Sequence, residues 1–433
     1  KKYNYNGTFS VRYENLINGE RGLPGYGKST VYNIRWSHSK DSKASPNSSF
    51  SASVNFGSSD YFRQSVNQLN TANFLNNNLS SSISYSKSFP GSAGVRLSLT
   101  ANMSQNTQSK QVNLNLPTLT LNTARFYPFE RKGKSKKGII QNINLQYSSK
   151  LENRASFADD LLLKKGMFEN AKSGVQHLIP FTTNFKLFKF FSVSAGGGYQ
   201  ETWTGKTIRF NDFNESNPVV KDTLSGFDRF ATYNYNASVT TKIYGIVNFK
   251  PEKRIQSIRH TITPSITYSN SPSFEQYYDT YIIDAEGNTA EYTRFQGGLY
   301  GTPPKGYSSS IGISIQNTLE AKVKPKDSTQ TELKKINILK NLNISTSYNL
   351  AADEFNLSPI RVTGGIDLAK GLSLNTGATF DPYALDENNT RINVYNIKNG
   401  GGLLRLTSAN LSTQYTLNND TFKRGQSDEQ INE

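Results

Sequence analysis

Apolar and polar residues alternate at period two along nearly the whole chain. Phe50, Ala52, Val54 and Phe56 are separated by Ser51, Ser53 and Asn55. Leu79, Ile83 and Tyr85 oppose Ser80, Ser82 and Ser84. Val95, Leu97, Leu99, Ala101 and Met103 oppose Arg96, Ser98, Thr100 and Asn102. The same pattern runs through Ile139–Tyr147, Tyr233–Ile243, Ile311–Gln316, Leu342–Tyr348, Leu372–Phe380 and Leu411–Leu417. Successive side chains of a strand point to opposite faces, so each segment predicts a strand with one apolar and one polar face. About sixteen such segments can be read, most of them roughly ten residues long. That is the length a tilted strand needs to cross a bilayer, against ~5–6 residues in soluble sheets.

The polar faces carry Asn, Ser, Thr and Gln rather than mixed charge, which suits a wet enclosed lumen. Aromatic residues gather near segment ends, at Tyr3 and Tyr5, Tyr85 and Phe89, Phe126 and Tyr127, Phe188 to Phe191, and Tyr277 and Tyr278. That placement suits the girdles of an outer-membrane barrel. A bilayer core satisfies no open edge, so the strands are expected to close. The fold class predicted is all-β: a large antiparallel transmembrane β-barrel, occupying residues 1–433 without a second domain.

Connections are uneven. Phe89-Pro90-Gly91-Ser92 and Lys370-Gly371 read as short turns, and Gly205–Asp228, Pro272–Lys305 and Val323–Lys335 as long polar loops. Short turns on one side and long loops on the other is the outer-membrane asymmetry. Tyr281–Phe295 carries its own turn, Glu286-Gly287-Asn288, and predicts a protruding hairpin. Asp159–Phe168 is the one segment expected to form a short helix. Pro117, Pro180 and Pro264 fall inside strand-like runs, where proline belongs at an edge or bulge. At Pro117 the alternation changes register, from Val112, Leu114 and Leu116 to Leu119 and Leu121, as a bulge would make it.

Composition sharpens this picture. Of 433 residues 35% are hydrophobic and 12% aromatic, with no cysteine, so disulfides and thiolate metal sites are excluded. Aromatic content argues against disorder, and the Asn, Ser, Thr and Gly richness against helical bundles. A soluble solenoid would show a fixed repeat, and none is found. The chain opens on Lys1-Lys2-Tyr3-Asn4 and closes on an acidic stretch, which reads as a processed chain or an internal fragment.

Forty-nine Lys and Arg against 33 Asp and Glu leave a net charge of +16, which favours anionic partners. Arg96 and Lys242 sit at polar-face positions, and Arg35 and Arg361 join them as candidate lumenal contacts for an anionic cargo. Lumenal cations of this kind either guide cargo or balance carboxylates. Arg131, Lys132, Lys134, Lys136 and Lys137 form a basic cluster between strands, a solvated periplasmic-side loop or a contact for lipid phosphates. Gly22-Leu23-Pro24-Gly25-Tyr26-Gly27-Lys28-Ser29 matches a P-loop by letter. The residues after it alternate like a strand rather than a helix, so a plain Gly-rich loop is expected. His38, His177 and His260 have no metal-ligand spacing. Neither a nucleophile elbow nor a matched carboxylate pair appears, so no enzyme, cofactor or nucleic-acid partner is expected.

Three stretches resemble the LptD family of lipopolysaccharide-assembly outer-membrane proteins, in its Bacteroidota form: His38–Phe56 (HSKDSKASPNSSFSASVNF), Ala124–Phe129 (ARFYPF) and Arg259–Ile266 (RHTITPSI). The resemblance extends over most of the chain. It implies an integral outer-membrane translocon of a Gram-negative bacterium. A periplasmic jelly-roll domain receives lipopolysaccharide from a protein bridge, and a barrel plugged by the lipoprotein LptE releases it sideways, between first and last strands. Outer-membrane lipids and further subunits are the other implied partners. The family barrel has about 26 strands. The jelly roll is missing from these residues, so the chain is expected to be part of a larger barrel wall. Two other classes stay open: a porin or TonB-dependent receptor, for which no plug domain is visible, and, more remotely, a barrel hydrolase.

Overall fold

The computed structural model describes all residues except 1–3, 42, 44, 66–77, 92–93, 132, 134–137, 216–217, 326–331, 370–371 and 417–433. Its strands are β1 Tyr5–Asn18, β2 Gly27–Lys40, β3 Ser48–Gly57, β4 Asn78–Phe89, β5 Val95–Asn106, β6 Gln111–Asn122, β7 Asn144–Leu145 and β8 Ser148–Ala158. Next come β9 Lys172–Leu187, β10 Phe191–Phe210, β11 Lys221–Thr240, β12 Ile243–Asn248, β13 Ile255–Ser271, β14 Tyr278–Ile282 and β15 Thr289–Thr293. The last are β16 Ser308–Val323, β17 Lys334–Asn349, β18 Ile360–Ala369, β19 Leu372–Asp381, β20 Tyr383–Leu385, β21 Arg391–Tyr395 and β22 Arg405–Tyr415.

Eighteen strands share one sheet, and β14–β15 and β20–β21 stand apart as hairpins. The described pairings are all antiparallel and run in chain order, β1-β2-β3-β4-β5-β6-β8-β9-β10-β11-β13-β16-β17-β18-β19-β22. The fragments β7 and β12 complete it, pairing with β9 and β13. Setting these two aside from the eighteen leaves sixteen, the number read from alternation. Closure is not seen: among the described residues β1 pairs only with β2, and β22 only with β19.

The apolar face is left open rather than packed into a core. Phe9 is 69% exposed, Ile266 55% and Leu411 67%. A continuous face of this kind needs an apolar solvent, which is what a bilayer provides. True burial is local. Val112, Leu114, Ala155 and Phe157 are covered by Leu161, Leu162 and Met167 of the 159–171 connection. Full burial of one such side chain is worth ~1.5–3 kcal/mol, so these clusters fix loops rather than the sheet.

Successive connections alternate between two ends. The β2–β3, β4–β5, β9–β10, β12–β13 and β18–β19 connections belong to one end, and the β3–β4, β8–β9, β10–β11, β13–β16 and β19–β22 connections to the other. Lys370 and Gly371, read as a short turn, lie outside the described residues. The asymmetry is therefore present, with two corrections. Gly205–Asp228 is mostly strand, because β10 and β11 extend their ladder to Phe210 and Lys221 past a bulge at Thr204/Lys206. The connection around Val323–Lys335 lies at the short-turn end, with 123–147.

Other expectations fail locally. Ile139–Tyr147 is a helical turn, Gly138–Gln141, and then the two-residue β7. Asp159–Phe168 holds two 3₁₀ turns, Asp159–Leu161 and Lys165–Phe168, and is not alone, since Tyr61–Gln64 is also helical. The Gly-rich stretch is the β1–β2 connection, with Lys28 and Ser29 already in β2. The hairpin within Tyr281–Phe295 is present as β14–β15, with Gly287 at φ +80°, where a side chain would be strained.

The three prolines share one logic. Pro117 sits at a register shift, between Asn115 and Thr118. Pro180 lies opposite the gap between β7 and β8, where its carbonyl accepts the Gln146 amide at 3.2 Å. Pro264 lies opposite the gap between β11 and β12, where its carbonyl accepts the Thr241 amide at 3.3 Å. A residue with no N–H cannot complete a ladder, so the neighbouring strand is interrupted there.

Candidate functional site

The polar face is the surface on which chemistry-bearing groups converge. Directly opposed residues in an antiparallel pair share a face. Lys186 of β9, Ser192 of β10, Thr240 of β11, Ser265 of β13, Ser314 of β16, Ser345 of β17, Arg361 of β18, Thr379 of β19 and Ser408 of β22 are successive partners of this kind. They form an unbroken row of hydroxyls running from a lysine past an arginine. With strands ~4.8 Å apart, Lys186 and Arg361 are separated by about 30 Å along the sheet. Thr240 donates to Ser265 at 3.1 Å, Ser314 donates to Asn343 at 2.9 Å, and Lys186 donates to Ser192.

Further along the same face the connection 272–307 folds inward over β8 to β11. Tyr277 and Phe295 pack on Phe230, with ring centroids 6.0 and 4.8 Å away. The Tyr277 hydroxyl accepts the Ala231 amide at 3.0 Å, and Arg294 pairs with Asp228 at 2.6 Å. Lys172 donates to the Gly297 carbonyl at 2.7 Å, and Tyr300 donates to the Lys150 carbonyl at 2.9 Å. Tyr277 is thus the core of an inward loop and not part of a girdle. The residues that form girdle-like clusters lie on the other face: Tyr5, His38 and Phe50 at one level, and Tyr147, His177, Trp203 and Phe227 at another.

The four candidate cations are dispersed. Arg96 is exposed on the polar face between Ser88 and Asn122, and Arg35 lies between Ser10 and Asn55. Arg361 belongs to the row. Lys242 is in no strand: it occupies the break that Pro264 imposes between β11 and β12. Sequence reading missed Lys186, which the alternation of β9 places with Thr182 and Asn184. Its significance appears only once pairing puts it level with Arg361. Of the basic cluster, Arg131 is exposed in a connection at the short-turn end, and Lys132, Lys134, Lys136 and Lys137 lie outside the described residues.

The histidines are engaged as single side chains. His177 Nδ1 is 2.8 Å from the Tyr147 hydroxyl, and His260 Nε2 is 3.1 Å from Asn317 Oδ1. Among the described residues no group of three or more His, Asp or Glu could hold a metal ion, and no helix is long and apolar enough to cross a membrane.

Comparison with known proteins fits this geometry. No curated protein matches the sequence. Among solved structures, a double mutant of the Serratia marcescens hemophore receptor HasR, in complex with its hemophore HasA and heme, aligns at 8% identity. It covers 96% of this chain and 77% of the receptor, and a TM-score of 0.24 carries no argument about fold or cargo. The family model described as LptD protein matches residues 1–383, from the start of the sheet through β19. The chain therefore belongs to the LptD family of lipopolysaccharide-assembly outer-membrane proteins.

Proposed function

We propose that this chain is a wall segment of an outer-membrane translocon that inserts lipopolysaccharide into the outer leaflet. The saccharide and phosphate part of the cargo travels along the polar face, and release is lateral. The observation that carries this reading is the hydroxyl row that begins at Lys186 and includes Arg361. Hydroxyls exchange hydrogen bonds readily with sugars, and two separated cations attract phosphate without making one tight pocket. Transport requires contacts that are favourable enough to enter and weak enough to leave. The reading includes a plug lipoprotein of the LptE kind, a periplasmic bridge that delivers cargo through a jelly-roll domain outside these residues, and further subunits. Depletion of the protein and assay of surface lipopolysaccharide tests it. Surface lipopolysaccharide should fall; an unchanged amount would overturn the reading.

The inward loop supports a second reading, a diffusion pore narrowed by the 272–307 connection where it docks on Phe230. Small-solute uptake that drops on depletion while surface lipopolysaccharide stays constant would favour it.

A further inference from the structure

At the short-turn end of the sheet a cavity of about 930 Å³ opens between β13, β16, β17, β18, β19 and β22. Arg254, Lys324, Lys334, Lys335 and Lys340 line it, with Asp367 as the one acidic lining residue. Lys340 reaches Asp367 at 3.7 Å. The other four cations have no acidic partner among the described residues. The backbone holds the cluster together, since the Lys324 amide donates to the Arg254 carbonyl at 2.9 Å.

A second observation is independent of the cavity. Lys322 of β16 stands directly opposite Lys335 of β17. Like charges in directly opposed positions destabilise a sheet, whereas two residues earlier on β16 Arg259 neutralises Glu320 across the β13–β16 pair. A lysine pair beside three more cations, none of the five with an acidic partner among the described residues, is complementary to a polyanion. Apolar groups line the same space: Ile336 is 46% and Leu368 57% exposed, and Leu372 lies beside them. Phosphate binding alone does not call for them.

We infer that this cavity binds the phosphorylated headgroup of an amphiphile, with phosphates on Lys324, Lys334, Lys335 and Arg254 and the first part of its acyl region against Ile336 and Leu368. This rests on the reading of the polar face as a path for lipopolysaccharide, and it names where the cargo's phosphates first meet this sheet. Lys335, which lines the cavity, is paired with Lys322, and Lys322 shares the period-two face of β16 with Ser314, so this side of the cavity faces the same way as the hydroxyl row.

The test uses the full chain in nanodiscs of zwitterionic lipid. The probes are a bis-phosphorylated glucosamine lipid, its dephosphorylated counterpart, and inorganic pyrophosphate. The wild type should bind the phosphorylated lipid at least tenfold more tightly than the dephosphorylated one. Pyrophosphate should compete weakly if the acyl region contributes, and as well as the lipid if free phosphate is the true ligand, which would overturn the amphiphile. Lys324→Gln with Lys334→Gln and Lys335→Gln should weaken lipid binding tenfold or more. Lys398→Gln, at the opposite end, should leave it unchanged. Lys335→Gln alone should raise the thermal midpoint without ligand, because it removes the like-charge pair. A thermal midpoint of the triple variant no lower than that of the wild type shows that its loss of binding is not loss of folding. Equal affinity of wild type and triple variant overturns the inference. If depletion leaves surface lipopolysaccharide unchanged while lipid binding still needs these lysines, the transport reading fails and the site stands.

Discussion

The carbonyl oxygen of Pro264 accepts the Thr241 amide at 3.3 Å, across the point where β11 gives way to β12. One residue without an N–H therefore sets where its neighbour breaks, and that break carries Lys242 out of the ladder. Pro264→Val should be tolerated, because it restores a donor. Ile266→Pro should block assembly, since Ile266 is paired on both sides, with Val239 and Ile313. In hydrocarbon a lost ladder bond leaves a polar group that nothing satisfies. Heat-modifiable mobility on gels distinguishes the folded from the unassembled protein.

The two faces should respond oppositely to charge. Leu97→Arg and Ile313→Arg place a cation on the lipid side at a cost of ~2–4 kcal/mol near midplane, and should impair assembly. Ser98→Arg and Ser314→Arg should assemble, the second losing about 1 kcal/mol with its bond to Asn343. Equal folding yields for both pairs would contradict the face assignment.

If cargo follows the hydroxyl row, as proposed, Lys186 and Arg361 are the cations it meets there, while Arg96 and Lys242 lie off that row. Reversing Lys186 and Arg361 together to Glu should reduce export several-fold at normal protein level, read as raised outer-membrane permeability. The same reversal at Arg96 and Lys242 should do less, because these two share no row.

Phe295 is 2% exposed and fastens the inward loop. Phe295→Ala should weaken that docking by ~3–5 kcal/mol, the usual range for a buried phenylalanine. Proteolysis between 283 and 299 in intact cells should accelerate, while the sheet itself remains folded.

The β14–β15 hairpin should be sensitive to acid. The Asn288 side chain donates to Asp284 at 2.7 Å and its amide at 2.9 Å, and these bonds hold the Asp284 carboxyl below its usual range. A lowered pKa means that the contribution is complete above the ordinary carboxylate range. It is lost as pH falls through the lowered value. Amide signals of Gly287 and Asn288 should sharpen above that range and broaden below it, and Asp284→Asn should flatten the dependence.

Alternation was enough to read the sheet. Residues such as Ile311, Ile313 and Ile315 mark a face whatever lies beside them, because period two is a property of the single strand. It was also enough to flag Pro117, Pro180 and Pro264. Two kinds of information were missing. Ile139–Tyr147 alternates but folds into a turn and a stub, since a short apolar run is equally compatible with either. The row through Lys186 and Arg361 could not be read at all. It depends on the register of each ladder, and every bulge shifts the level of the residues beyond it. The lysine pair at Lys322 and Lys335 was invisible for the same reason: the two residues are brought together only by the β16–β17 pairing.

The inward loop has a mechanical consequence. Its anchors reach Ala231 on β11, Ile208 on β10, Lys172 on β9 and Lys150 on β8, so four strands and the three ladders between them are cross-braced from one side. Separating any two of these strands would require the brace to let go as well as the ladder. This panel is therefore the stiff part of the wall. The edge strands β1 and β22 lie outside that brace and among the described residues each hold a single neighbour, so they are the least restrained part of the wall.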